Sequence, residues 1–112
     1  MNGEREVGLT LTVEPAAAPD VPAVVTIGGD LEYGTAGPLR TALLGFSQRD
    51  ADALVLDMRD VEFLDSTGIS LLIQAKQRFD AQGTRFVLRH PPPRVTRVLE
   101  IAGVADMFTI ES

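Results

Sequence analysis

Leu54-Val55-Leu56-Asp57-Met58-Arg59-Asp60-Val61-Glu62-Phe63-Leu64-Asp65-Ser66-Thr67-Gly68-Ile69, continuing through Leu72, Ile73 and Phe79, is the stretch whose reading decides the fold. Ala53-Leu54-Val55-Leu56 is an apolar run without helical spacing, the pattern of a buried strand. A loop rich in carboxylates is expected from Asp57 onward. Asp65 then stands where a helix N-cap belongs, directly before an amphipathic segment. Ile69, Leu72, Ile73 and Phe79 fit one face of that helix, with Lys76 in the gap, and Gly83 marks its end. Ser66 falls in the first helical turn. A phosphate carried there would face free backbone N–H groups and the positive end of the helix dipole.

Outward from this unit, the chain reads as strands and helices in alternation. Val7 to Val13 alternates apolar with small or polar residues, the period of a half-buried strand. Pro15, Pro19 and Pro22 break the pattern. Ala23 to Ile27 is a second, more apolar strand, and the two suit an antiparallel hairpin with a long turn. Gly28-Gly29-Asp30-Leu31-Glu32-Tyr33-Gly34 reads as a loop, with Thr35 as N-cap of a short helix carrying Leu39, Leu43 and Phe46, and Pro38 in its first turn. After the central helix, Thr84 to Leu88 forms another strand, parallel to the one before the helix through a right-handed crossover. Pro91-Pro92-Pro93 stops it and opens a third helix with Val95, Val98, Leu99 and Ala102, closed by Gly103. Met107 to Ile110 is a last extended segment. The expectation is one α/β domain over residues 1–112, a mixed sheet of four or five strands with helices packed against it.

Asp65-Ser66-Thr67-Gly68, with Val61-Glu62-Phe63-Leu64 and a strand before it, resembles the signature of STAS domains of bacterial anti-sigma factor antagonists. Gly29-Asp30-Leu31-Glu32 followed by Thr35-Ala36 resembles a second motif of that family, Gly-x-Leu-Asp, with Glu32 in place of the usual Asp. The resemblance spans about residues 9–110. Members of the family usually carry one more helix after the last strand, and here the chain stops at Ser112. In the family the Ser of the signature is phosphorylated by a partner anti-sigma factor that is also a kinase. The resemblance implies the same for Ser66: the unmodified domain binds the anti-sigma factor and frees a sigma factor, phosphorylation releases the partner, and a phosphatase resets it. It also implies a partner-facing set of Asp30, Glu32, Asp65, Ser66, Thr67 and Gly68. Leu71, one turn from Ser66, joins that set as an apolar anchor unless the helix near Thr35 covers it. No cofactor, metal or catalytic residue is expected. Two other readings are a STAS module without switching, such as a scaffold or a transporter-associated domain, and a STAS domain binding a small ligand or nucleotide.

Other chemistries fit the residues less well. A phosphate-binding loop at Gly28–Thr35 lacks a Gly-Lys-Ser/Thr ending. A hydrolase built on Ser66 lacks the glycine two positions earlier that a nucleophile elbow needs, and His90, the sole histidine, is followed by three prolines. A phosphoryl-accepting receiver built on Asp57 lacks paired acids after the first strand and a late lysine, Lys76 being the chain's one lysine. Asp57 reads instead as a buried or loop-orienting carboxylate. The chain has 112 residues, enough to bury roughly 65% of its unfolded surface. It has no cysteine, hence no disulfide or thiolate site. Ten Lys and Arg against sixteen Asp and Glu give a net charge of −6, which disfavours direct nucleic-acid binding and favours solubility. No apolar run approaches the ~20 residues of a membrane span, so a cytoplasmic protein is expected.

Overall fold

The computed structural model describes residues 8–112. The elements are β1 (Leu9–Glu14), β2 (Ala23–Leu31), α1 (Gly37–Leu44), β3 (Ala53–Leu64), α2 (Ser66–Gln82), β4 (Arg85–Arg89), α3 (Pro93–Ile101), a 3₁₀ turn (Ala105–Met107) and β5 (Thr109–Glu111). They build a five-stranded sheet in the order β1-β2-β3-β4-β5. β1 is antiparallel to β2, and the other neighbours are parallel. Val7, expected at the start of the first strand, lies outside the described residues.

Three successive parallel connections step the same way across the sheet. With right-handed crossovers, their helices must share one face. The core agrees: Val25, Ile27, Leu54, Leu56, Phe86 and Leu88, alternate residues of three strands, form a single cluster with Leu39, Leu72, Phe79, Val95 and Leu99 from all three helices. Phe79 sits at its centre, with edge-on ring contacts to Phe46 at 5.8 Å and to Phe86 at 5.0 Å between centroids. The opposite face carries a polar row at one register, Thr12–Thr26–Asp57–Arg89–Glu111. Asp57 is buried in that row, where its Oδ1 accepts the Arg59 N–H at 3.0 Å. Of the two readings, buried or loop-orienting, the first holds, since Asp57 lies within β3.

The acidic loop expected after Leu56 is strand. β3 runs twelve residues to Leu64. β2 likewise runs through Gly28-Gly29-Asp30 to Leu31, and the two extensions pair with irregular register at Thr26/Gly28 and Gly29/Asp30. Carboxylates and glycines normally disfavour strands. Here Asp60 and Glu62 point to solvent beside a bulged partner. Gly29 has φ of 88°, and a Cβ there would lie 2.3 Å from the Gly8 carbonyl oxygen, so only glycine fits.

α2 ends as expected at Gly83, left-handed with φ of 79°, and Thr84 N–H returns to the Phe79 carbonyl at 2.9 Å. Its buried face differs from the expected one. Gly68, Leu71, Leu72, Ala75 and Phe79 are buried, while Ile69 and Ile73 are half-buried. Leu71 is therefore core and not a partner anchor. The cause is α1, which packs along the side of α2 that carries Leu71 and Gln74; Arg40 Nη1 donates to Gln74 Oε1 across the pair at 2.7 Å. A helix covered by both a sheet and a second helix buries a wider arc than one face. Leu71→Ala is expected to lower stability by about 2–5 kcal/mol in denaturant unfolding, the cost of a buried leucine truncation.

Candidate functional site

The site lies where β2 and β3 end together. Asp65 N–H donates to the Leu31 carbonyl at 3.3 Å, which ties the end of β3 to the end of β2. Asp65 is extended, with φ of −105° and ψ of −174°, and caps α2: its Oδ1 accepts the Gly68 N–H at 3.0 Å. The other carboxylate oxygen, Oδ2, accepts the Tyr33 N–H at 3.2 Å from the turn after β2. One side chain thus bridges the two segments that form the rim. Its charge also suits the positive helix end.

Ser66 is the first residue of α2 and is exposed. Its backbone N–H and that of Thr67 precede the first intrahelical bond, Ile69 N–H to the Asp65 carbonyl at 3.0 Å. The hydroxyl is open to an incoming group and lies beside these free donors. Thr67 is half-buried, one position further into the helix.

Gly68 has a packing role. A Cβ on it would lie 2.9 Å from the Leu31 carbonyl oxygen and 2.5 Å from Leu64 Cδ1. Its missing side chain lets the first turn of α2 rest on the backbone end of β2, and that contact sets how far Ser66 stands above the sheet.

The turn after β2 is held by its own network. Thr35 does not cap α1, whose N-cap is Ala36 without a side-chain bond. The Thr35 hydroxyl instead donates to the Asp30 carbonyl and accepts the Glu32 N–H at 3.0 Å. Thr35 and Ala36 N–H groups both return to the Glu32 carbonyl, at 3.1 and 2.9 Å. The hydroxyl is drawn back because the expected loop at Asp30 is strand, with a carbonyl within reach.

Of the residues expected to face a partner, the structure leaves Ser66 exposed and Glu32, Asp65 and Thr67 half-buried. Asp30 is corrected: it is 8% exposed, held in β2 between Gly8, whose carbonyl accepts its N–H at 2.9 Å, and its β3 neighbour Phe63. Gly68 and Leu71 are buried as well. Sequence reasoning missed Tyr33, 86% exposed on the turn, and Phe63, 48% exposed at the end of β3. A large aromatic beside a glycine in a loop was the available signal for Tyr33. Among the described residues no group of His, Cys, Asp and Glu is arranged to hold a metal ion, and no helix is long and apolar enough to cross a membrane. An apolar recess of about 240 Å³ lined by Val13, Ala23, Val25, Ala42 and Phe46 lies at the start of β2, the far end of that strand from Leu31. It shares no residue with the rim around Ser66.

Asp65→Ala is expected to cost about 0.5–2 kcal/mol of stability by loss of the cap. Gly68→Ala is expected to cost about 1–3 kcal/mol by overpacking. Gly37→Ala, where a Cβ would meet nothing within 4 Å, should cost nothing, so thermal unfolding of the three variants separates contact from composition.

The geometry has counterparts in known proteins. The anti-sigma-B factor antagonist of Bacillus subtilis is 28% identical over 88 residues, 79% of this chain and 80% of that protein. The crystal structure of an anti-sigma factor antagonist from Mycobacterium paratuberculosis superposes with a TM-score of 0.78 at 26% identity, over 92% of this chain and 85% of that one. The Bacillus cell fate determinant SpoIIAA in its phosphorylated form shares the fold, with a TM-score of 0.70 at 17% identity, over 92% of each chain. The family model of the STAS domain matches residues 13–112, nearly the whole of the sheet and all three helices, and the chain belongs to the STAS domain family.

Proposed function

We propose that this domain is an anti-sigma factor antagonist that works by partner switching, with Ser66 as its phospho-acceptor. The observation that carries the reading is the position of Ser66: exposed, first in α2, beside the Asp65 cap and above the Gly68 contact. The similarity to anti-sigma factor antagonists supports the partner class. The unmodified domain binds an anti-sigma factor that is also a serine kinase, and a sigma factor is freed. The Ser66 hydroxyl then attacks the γ-phosphorus of ATP held by that partner. The Oγ–P bond forms, the bond from phosphorus to the ADP oxygen breaks, and the hydroxyl proton passes to a base of the kinase. Nucleotide, metal and base belong to the partner, so this chain contributes only an accessible, well-placed acceptor. A phosphatase hydrolyses the phosphoserine and restores the binding form.

The phosphate acts through charge. It adds about −1.5 to −2 at neutral pH. Asp65 is adjacent, and Asp60 and Glu62 line the exposed end of β3. The helix N-terminus offsets only ~0.3–1 kcal/mol. At a solvated surface this leaves the fold intact. Inside a complex, an unpaired dianion costs several kcal/mol, and the partner leaves.

Two variants test this. Incubated with ATP and a kinase-type anti-sigma factor, the wild type should gain one phosphate by intact mass, on Ser66 by peptide sequencing. Ser66→Ala should gain none and still bind; phosphate on Thr67 or Ser70 would contradict the assignment. Ser66→Asp should keep the melting temperature of the wild type and bind more weakly. A Ser66→Asp chain that binds as well as the wild type would count against the charge mechanism.

A further inference from the structure

We propose that Tyr33 is the anchor by which the anti-sigma factor grips this domain, an aromatic side chain that Asp65 sets beside the acceptor serine. The proposal rests on the partner-switching reading and names the contact behind it.

Tyr33 is the most exposed of the large apolar side chains among the described residues, at 86%. An isolated exposed apolar residue on a mobile loop would mean little. Tyr33 sits instead on a turn held by hydrogen bonds at Glu32, Tyr33, Thr35 and Ala36. Glu32 N–H is held by the Thr35 hydroxyl, the Thr35 and Ala36 N–H groups by the Glu32 carbonyl, and the Tyr33 N–H by Asp65 Oδ2. The backbone is ordered before any partner arrives, so binding immobilises only a side chain with two torsions. Such preordered tyrosines carry a large share of interface energy.

The occupant follows from what surrounds the ring. Asp65 links the Tyr33 backbone to the N-terminus of α2, so a protein that reaches the Ser66 hydroxyl also meets the turn that carries Tyr33. Glu32 and Asp65 flank the turn, and Asp60 is exposed along β3; the nearest cation in sequence, Arg40 in α1, has its guanidinium bonded to Gln74. A complementary partner presents a recess for a phenol ring within a cationic rim. This fits a kinase-type anti-sigma factor closing over Ser66 and sets Tyr33 apart from Ile101, which is 78% exposed at the end of α3, away from the rim.

Tyr33 is the chain's one tyrosine, and the chain has no tryptophan, so a fluorinated tyrosine reports on this position alone. The probes are the purified kinase-type anti-sigma factors encoded in the genome that carries this chain. For the one that binds the wild type, Tyr33→Ala should weaken affinity about tenfold or more with an unchanged melting temperature. Tyr33→Phe should restore most of it, and Ile101→Ala should bind as the wild type does. In the fluorotyrosine-labelled wild type, the single fluorine resonance should shift and lose solvent exposure on saturation with unlabelled partner. An unmoved resonance, or a Tyr33→Ala affinity within about twofold of the wild type, overturns the anchor and leaves the phospho-acceptor reading standing. A wild type that binds through Tyr33 yet gains no phosphate on Ser66 overturns the switch and supports the anchor. A wild type that binds none of these partners overturns both.

Discussion

The contact between the first turn of α2 and the backbone end of β2 fixes everything that matters at the rim. Asp65 N–H bonds the Leu31 carbonyl, and three residues later Gly68 rests on that same oxygen without a side chain between. A serine on a helix N-terminus is common and means little. Here the serine follows a capped first turn that rests on β2 through a glycine contact, so its place above the sheet is fixed by backbone packing. The carboxylate of Asp65 extends this order to the next segment by holding the Tyr33 N–H.

The fold has a division of labour that follows from its connections. All three helices cover one face of the sheet, and because β2 to β5 are parallel their carboxyl ends lie at one end of it, where β2 passes toward α1 and β3 passes into α2. Loops at such edges carry function on a rigid scaffold. Here even the scaffold is extended: the long pairing of β2 with β3 carries both strands up to the turn and the helix N-cap, leaving little free chain between core and rim. The rim has little free chain because strand geometry reaches almost to Ser66.

Much of this was legible in the sequence, and the gaps have physical causes. The N-cap at Asp65, the left-handed glycine at position 83 and the crossover from β3 to β4 are local signals, and local signals survive in a single sequence. The extra strand at Asp57–Leu64 was hidden because its residues have loop propensities, and only pairing with an equally unlikely strand of glycines stabilises it. Leu71 stayed open between anchor and core because a helical wheel does not say whether a second helix covers that side; α2 touches both the sheet and α1, and Leu71 is core. Thr35 failed as a cap for a related reason: the carbonyl that attracts its hydroxyl belongs to strand that was read as loop. Asp30 and Gly68 stood in the right motifs, but their burial depends on neighbours that the motifs do not name.

In the proposed switch, one phosphate on Ser66 decides whether the partner stays. The most direct test is calorimetric titration of one kinase-type anti-sigma factor with the unmodified chain and with the stoichiometrically phosphorylated chain, at the same ionic strength. The account predicts an affinity lower by about a hundredfold or more for the phosphorylated form, ~2.7 kcal/mol, with both forms melting at the same temperature. Equal affinities for the two forms would contradict it.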